Sequence, residues 1–267
     1  MKVVLMGTPN FVVPIFDAIA KQHDVLAVFT RAPKPVGRKH IITKSPVHLW
    51  AESRGLPVYH KPSEYNFAPD MVFVAAYGAI LRDNVLNSAP CVNLHPSLLP
   101  KYRGPSPIIT AIKNGDSESG VCLMNMTDEL DVGDILMCEK FNIDINDTNE
   151  TVEEKVSKIG AKMILEYMDA PEKYPPKKQS GKIVYTAKTG VYDEIIDWKK
   201  SAMEIHNLVR AFGAGRTKIN GIDVKILKTK INGDKLEIVT IQPSGKKPMD
   251  WKSFVNGLHG TEVKYGE

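Results

Sequence analysis

The stretch KVVLMGTPNFVVPIFDAIA, Lys2 to Ala20, opens on an apolar run and passes through Gly7-Thr8-Pro9-Asn10 into a segment whose apolar residues Val12, Ile15, Phe16 and Ile19 recur at helical spacing. The run Val3 to Met6 is short, uniformly apolar and β-branched at its start, which reads as a buried strand. Strand, tight turn and helix repeat further on: Val25 to Thr30, Met71 to Ala76 and Val92 to His95 are similar runs with amphipathic segments between them. Strands that are apolar on both faces and linked by helices form a mostly parallel sheet covered on both sides, so the expected fold is α/β and Rossmann-like.

The turn after the first strand also excludes two functions. A dinucleotide or nucleotide site there would need G-x-G-x-x-G or G-x-x-x-x-G-K-[ST], and neither is present. Gly7 needs no ligand to explain it, since a tight strand-to-helix turn suffices.

Past the first four strands, Val121 to Met126 and Ile135 to Ile143 read as two more that could pair as a hairpin, and Thr151 to Ala170 as a long amphipathic helix capped by Thr148 or Asn149. PEKYPPKKQSGK, Pro171 to Lys182, has no periodicity and reads as a linker. A helix over Lys200 to Phe212 follows, then strand-like runs Val224 to Leu227 and Leu236 to Ile241 set off by Asn220-Gly221 and Asn232-Gly233-Asp234 turns. The expected organisation is a catalytic domain over 1–182 and a small β-rich domain over 183–267.

The 267 residues, 43% hydrophobic and 25% charged, describe an ordinary globular chain. No apolar run approaches a membrane span and the opening lacks a signal-peptide pattern, so the expected location is the cytoplasm, with no membrane partner. Cys91, Cys122 and Cys138 are odd in number and lack C-x-x-C spacing, which reads as buried small hydrophobes rather than a disulfide framework or a zinc site. Nothing indicates a metal, and no exposed heptad indicates an oligomer, so a monomer is expected. The net charge of +4 is uneven: residues 1–170 carry 17 Lys and Arg against 20 Asp and Glu, whereas 171–267 carry 18 against 11. A basic C-terminal third suits either a polyanionic partner or a solvated surface.

Chemistry concentrates around Asn93-Leu94-His95. Alternation sends Asn93 and His95 to one side at the carboxyl end of a strand, where open α/β sheets place ligands. The following Pro96-Ser97-Leu98-Leu99-Pro100-Lys101-Tyr102-Arg103-Gly104 reads as a stiff loop. Thr127-Asp128-Glu129-Leu130-Asp131-Val132-Gly133-Asp134 holds four acids and no base, without the ligand pattern of an EF-hand. Asn, His and one Asp together suit acyl transfer to an amine without a covalent intermediate. The amide donates to the developing oxyanion, His donates or relays a proton, and Asp fixes the imidazole tautomer or drains its proton.

N-x-H-P-S-L-L-P-x-Y-R-G followed by T-D-E-L-D-x-G-D-I-L resembles the folate-dependent formyltransferases, which move a formyl group from 10-formyltetrahydrofolate to an amine. The opening MGTPNFVVP, the segment FTRAPKPVGRKHIITKSPVH, Val74 to Leu81, Asp197-Trp198 to Phe212 and Ile241 to Lys247 are similar to the tRNA-directed members, which act on initiator methionyl-tRNA. The resemblance implies that Asn93, His95 and Asp131 are the catalytic residues. It implies a folate site along Tyr77, Gly78, Ile80 and Leu81 and along Thr127 and Asp128, with Ser97, Leu98, Leu99 and Pro100 walling the formyl group. It implies a small C-terminal domain that is OB-like; here the stretch before Gln242-Pro243 is short by about two of the usual five barrel strands.

Arg31 to Lys44 contains Arg31, Lys34, Arg38, Lys39 and Lys44 and no acid, with Pro33, Pro35 and Gly37 expected to prevent regular structure. Such a basic segment suits the phosphates of an acceptor stem. In the tRNA-directed members an Arg of this segment reaches the acceptor end, which implies a tRNA contact at Arg38, flanked by Lys34 and Lys39. Two other readings are the same chemistry on an amino-sugar nucleotide and a non-catalytic RNA-binding protein, which would have no use for the Asn, His and Asp together.

Overall fold

The computed structural model describes residues 1–37 and 39–266. The elements, in chain order, are β1 (Lys2–Gly7), α1 (Val13–Ala20), β2 (Asp24–Phe29), β3 (Lys34–Val36), β4 (Ile41–Thr43), α2 (Pro46–Ser53), β5 (Val58–Tyr59), β6 (Met71–Ala75), α3 (Asp83–Leu86), β7 (Cys91–His95), α4 (Pro107–Lys113), β8 (Glu118–Asn125), β9 (Ile135–Asn142) and α5 (Asn149–Asp169). After them come α6 (Ala202–Phe212), β10 (Gly215–Ile219), β11 (Ile222–Asn232), β12 (Lys235–Pro243), β13 (Met249–Asp250) and α7 (Trp251–Asn256). Two compact units emerge, one of residues 1–105, 120–141 and 153–186, the other of 106–119, 142–152 and 187–267.

The first unit is built on a sheet of order β5-β2-β1-β6-β7-β8-β9. Its first five strands pair in parallel and β8 runs antiparallel to β7, so the expected mostly parallel α/β sheet is present. One face carries Val4, Met6, Ala27, Phe29, Val72, Val74 and Cys91 in a single apolar cluster with Tyr65, Tyr77 and Leu81. Crossing between β1 and β6 reverses the direction in which strands are added, the place where such sheets leave a crevice at their carboxyl ends. Gly7, the last residue of β1, is there for lack of room rather than for backbone freedom: a Cβ would sit 2.7 Å from the Ala75 carbonyl oxygen and 2.8 Å from the Phe16 ring.

Two local expectations are corrected. Within Arg31 to Lys44, residues 34–36 and 41–43 are regular, since β3 and β4 pair antiparallel with Pro35 opposite Ile42; in an isolated ribbon the N–H that proline lacks costs only one bond. Cys122 and Cys138 are not independent buried hydrophobes. They stand on neighbouring strands β8 and β9 with Cα atoms 4.1 Å apart and form a disulfide, leaving Cys91 as the free, buried cysteine. Spacing in sequence hides such a pair, because a hairpin brings together residues that no short motif links.

The second unit is an antiparallel sheet of order β10-β11-β12-β13, with β13 only two residues long, and its core is formed by Ile205 and Val209 of α6, Ile226 and Ile241 of the sheet and Phe254 of α7. Ser201 and Glu204 form a capping box at the start of α6, and Gly213 ends it in the left-handed conformation. Buried Arg210 donates to the carbonyls of Asp144 at 3.2 Å and Asp147 at 2.9 Å, so α6 is tied to the 142–152 segment of its own unit. No helix among the described residues is long and apolar enough to cross a membrane.

Candidate active site

Strand β7 is held between β6 and β8, with Asn93 opposite Met124 and His95 opposite Cys122. Opposed residues of an antiparallel pair share a face, so Asn93, His95, Cys122 and Met124 point the same way. Leu99 and Ile135 pack on Cys122 and Met124, which lays the loop after β7 across that face. Ser97 fixes the loop from within: its backbone N–H donates to the His95 carbonyl at 2.9 Å and its buried hydroxyl to the Lys101 carbonyl at 2.6 Å. The Leu99–Pro100 peptide is cis.

His95 is 4% exposed, and both ring nitrogens have fixed surroundings. Nε2 lies 2.9 Å from the Tyr102 carbonyl oxygen. A carbonyl can only accept, so Nε2 carries the proton, and the neutral ring presents its Nδ1 lone pair. Nδ1 lies 3.6 Å from Oδ2 of Asp131. Burial holds the His95 pKa below the ordinary imidazole value, against the opposing pull of the Asp131 carboxylate and the Tyr102 carbonyl. The tautomer is therefore set by Tyr102, whereas Asp131 faces the nitrogen that is free to take a proton.

Asp131 is itself held from several sides. Its Oδ2 accepts the Gly104 N–H at 2.8 Å, and its backbone adopts φ +53°. Ala76 at φ +46° and Tyr102 at φ +63° are also left-handed non-glycine residues on loops around the site, each of which costs roughly 1–3 kcal/mol that the surrounding contacts must offset. Gly104 has φ +113°, and a Cβ there would lie 2.7 Å from the Thr186 carbonyl oxygen. Only glycine fits at the position that donates to Asp131.

The other expected site residues sort into three groups. Tyr77 and Leu81 are buried in the sheet-face cluster, where burial pushes the Tyr77 phenol up to about 12 and its hydroxyl has no hydrogen-bond partner among the described residues. Met126, just before Thr127, packs on the same cluster, and its N–H donates to the Cys91 carbonyl at 2.9 Å. Gly78, Ile80, Thr127 and Asp128 are exposed, as is Leu130, so each loop presents an apolar side chain to solvent. Lys34 and Lys39 belong to the exposed β3–β4 hairpin; Arg38 lies outside the described residues.

Sequence reasoning missed Gln179, Arg103 and the Tyr102 carbonyl. Residues 171–182 are far from an idle linker. Lys177 exchanges backbone hydrogen bonds with Ile135 at 2.8 and 2.9 Å, and Gln179 reaches both Asp131 and Arg103. The available signal was a single uncharged amide, Gln179, in a run of prolines and lysines.

Comparison with known proteins matches residues 1–168 to the Formyl transferase family and residues 188–235 to the Formyl transferase C-terminal domain. A methionyl-tRNA formyltransferase of Cereibacter sphaeroides (strain ATCC 17025) is 34% identical over 291 residues, covering 97% of this chain and 96% of its own. Among solved structures, an N-formyltransferase from Helicobacter canadensis in complex with folinic acid and dTDP-3-aminofucose has a TM-score of 0.69 and 26% identity, covering 87% of this chain and 88% of its own. The methionyl-tRNA formyltransferase of Clostridium thermocellum shares the fold, with a TM-score of 0.65 and 16% identity over 91% of this chain and 98% of its own. With its N-terminal 168 residues matched to the family and 34% identity to a member along nearly its whole length, the chain belongs to the formyl transferase family.

Proposed function

We propose that this protein transfers the formyl group of 10-formyltetrahydrofolate to the α-amino group of initiator methionyl-tRNA by direct acyl transfer, as a cytoplasmic monomer. The observation that carries the chemistry is a buried imidazole whose Nδ1 lies 3.6 Å from the Asp131 carboxylate, on the strand face it shares with Asn93. The acceptor follows from 34% identity over nearly the full length to a protein named for methionyl-tRNA and from the basic β3–β4 hairpin.

In this reading Asn93 donates its amide N–H to the formyl oxygen as attack of the amine turns it into an oxyanion. His95, kept neutral by burial and with its Nε2–H donated to the Tyr102 carbonyl, takes the proton of the attacking nitrogen at Nδ1. Asp131 stabilises the imidazolium so formed. His95 then returns the proton to the donor's N10 as the C–N bond breaks, so neither Ser97 nor a cysteine is needed as nucleophile. The 77–81 and 127–131 loops, with Ile80 and Leu130 as apolar surface, hold the folate. Ser97 to Pro100 line the formyl group, and Arg38, Lys34 and Lys39 meet acceptor-stem phosphates.

The test is to incubate the protein with 10-formyltetrahydrofolate and either charged initiator tRNA or an amino-sugar nucleotide, then weigh each acceptor by mass spectrometry. Formyl addition to methionyl-tRNA is expected. Addition to the amino sugar alone would replace this acceptor, and addition to neither would refute the reading. Asn93→Ala is expected to lower kcat by roughly 100- to 1,000-fold with folate affinity nearly intact; normal turnover with lost folate affinity would contradict the oxyanion role.

A further inference from the structure

We infer that Gln179 is a positioning residue for the transfer reaction, holding Asp131 toward His95 from a segment whose sequence reads as linker. The inference rests on the proposed role of Asp131. All four hydrogen-bonding positions of the Gln179 carboxamide are taken. Its Nε2 donates to the carbonyls of Asp131 at 2.9 Å and Gly133 at 2.8 Å. Its Oε1 accepts from Nε of Arg103 at 3.0 Å and from Nη2 at 2.7 Å. An amide offers two donors and one oxygen with two lone pairs, so this side chain is saturated and has one orientation.

What it joins is specific. One end fixes the backbone of the residue whose left-handed conformation aims the carboxylate, and the other grips buried Arg103, which lies between Tyr102 and Gly104. Tyr102 supplies the carbonyl that sets the His95 tautomer, and Gly104 supplies the N–H on the Asp131 carboxylate. Arg103 is also stitched by its backbone to the chain just beyond that segment, its N–H donating to Val184 at 2.9 Å and its carbonyl accepting from Thr186 at 2.7 Å. Gln179 thus couples the loop that orients His95 to the loop that presents Asp131. Losing it frees the relative placement of two groups 3.6 Å apart, where a displacement on the order of 1 Å lowers a rate by roughly 100-fold.

The test compares Gln179→Met, Asp131→Asn and the double variant in steady-state formylation of charged tRNA, with urea unfolding alongside. Gln179→Met is expected to lower kcat by roughly 10- to 100-fold, with both KM values within about twofold. The acid limb of its pH–kcat profile is expected to move by about half a unit or more, because the His95–Asp131 pair is altered. His206→Gln, a destabilised control in the second unit, leaves that limb in place. On the Asp131→Asn background Gln179→Met has no further effect if it acts through Asp131. Unchanged kcat in Gln179→Met while Asp131→Asn is crippled overturns the inference alone, as does full additivity in the double variant. Unchanged kcat in Asp131→Asn overturns the reading of the site itself. If Gln179→Met does not fold, Arg103→Lys carries the test, since it keeps the charge and loses the fork on one oxygen. A matching fall in kcat then supports the inference, and a wild-type kcat and pH profile overturns it.

Discussion

His95 in the first unit and His206 in the second are both nearly sealed from solvent, and both set Nε2 at 2.9 Å from a backbone carbonyl oxygen, that of Tyr102 for one and Ile145 for the other. They differ at the second nitrogen. Nδ1 of His206 accepts from the Thr229 hydroxyl at 2.8 Å, which completes a neutral imidazole. Nδ1 of His95 faces a carboxylate at 3.6 Å, an arrangement that is complete only when a proton arrives. Burial of a histidine is thus no mark of function; what sets His95 apart is the carboxylate that faces its second nitrogen.

The widest gap between the two regions is expected when each second partner is removed. Asp131→Asn should lower kcat by about 100-fold or more and leave the urea midpoint nearly unchanged. Thr229→Val should leave kcat of the folded protein unchanged and lower the unfolding free energy by about 1–3 kcal/mol. Equal effects on rate would erase the distinction.

Gly104→Ala comes next, because it forces a side chain into φ +113° against the Thr186 carbonyl. A loss of about 1–3 kcal/mol in unfolding free energy is expected, accompanied by a fall in kcat as its N–H leaves Asp131. A stable, fully active variant would show that the loop tolerates movement.

The pH dependence of stability is smaller. Burial, reinforced by Arg210, holds the His206 pKa below its ordinary value, and burial does the same to His95. A base whose folded pKa is depressed binds protons more readily when unfolded, so its contribution is complete above about pH 6.5 and is lost as pH falls toward the folded value. Urea unfolding at pH 7.5 and 5.5 should show a loss for the native sequence, and His206→Gln should reduce that loss. An unchanged pH slope would mean that His206 contributes nothing to it. Smallest of all, Arg38→Ala should raise KM for tRNA severalfold in a salt-dependent manner and spare the folate KM. Equal changes in both would remove it from the acceptor stem.

How far these regions were legible from sequence follows from the same physics. Runs such as Val3 to Met6 and Met71 to Ala76 announce buried strands by composition, and period-two alternation is enough to put Asn93 and His95 on one face. Of the two cap candidates for α5 that the sequence offers, Thr148 and Asn149, the structure takes Thr148, whose hydroxyl accepts the Thr151 N–H at 3.3 Å. Asp131 needed the family resemblance, because four acids in one loop look alike by charge. Tyr102 acts through a carbonyl that every residue has, and Gln179 through a long-range contact 48 residues away in sequence, so neither leaves a local pattern. The disulfide was within reach had the two strands been paired in register, as Cys122 and Cys138 fall on the two arms of the hairpin.

The most direct measurement is single-turnover formylation of charged initiator tRNA by the native protein, His95→Gln and His206→Gln, each at a temperature where unfolding shows it folded. A rate lower by roughly 100-fold or more in His95→Gln, with His206→Gln close to the native rate, is the predicted result. A native rate in His95→Gln would contradict the assignment of proton transfer to the histidine that faces a carboxylate.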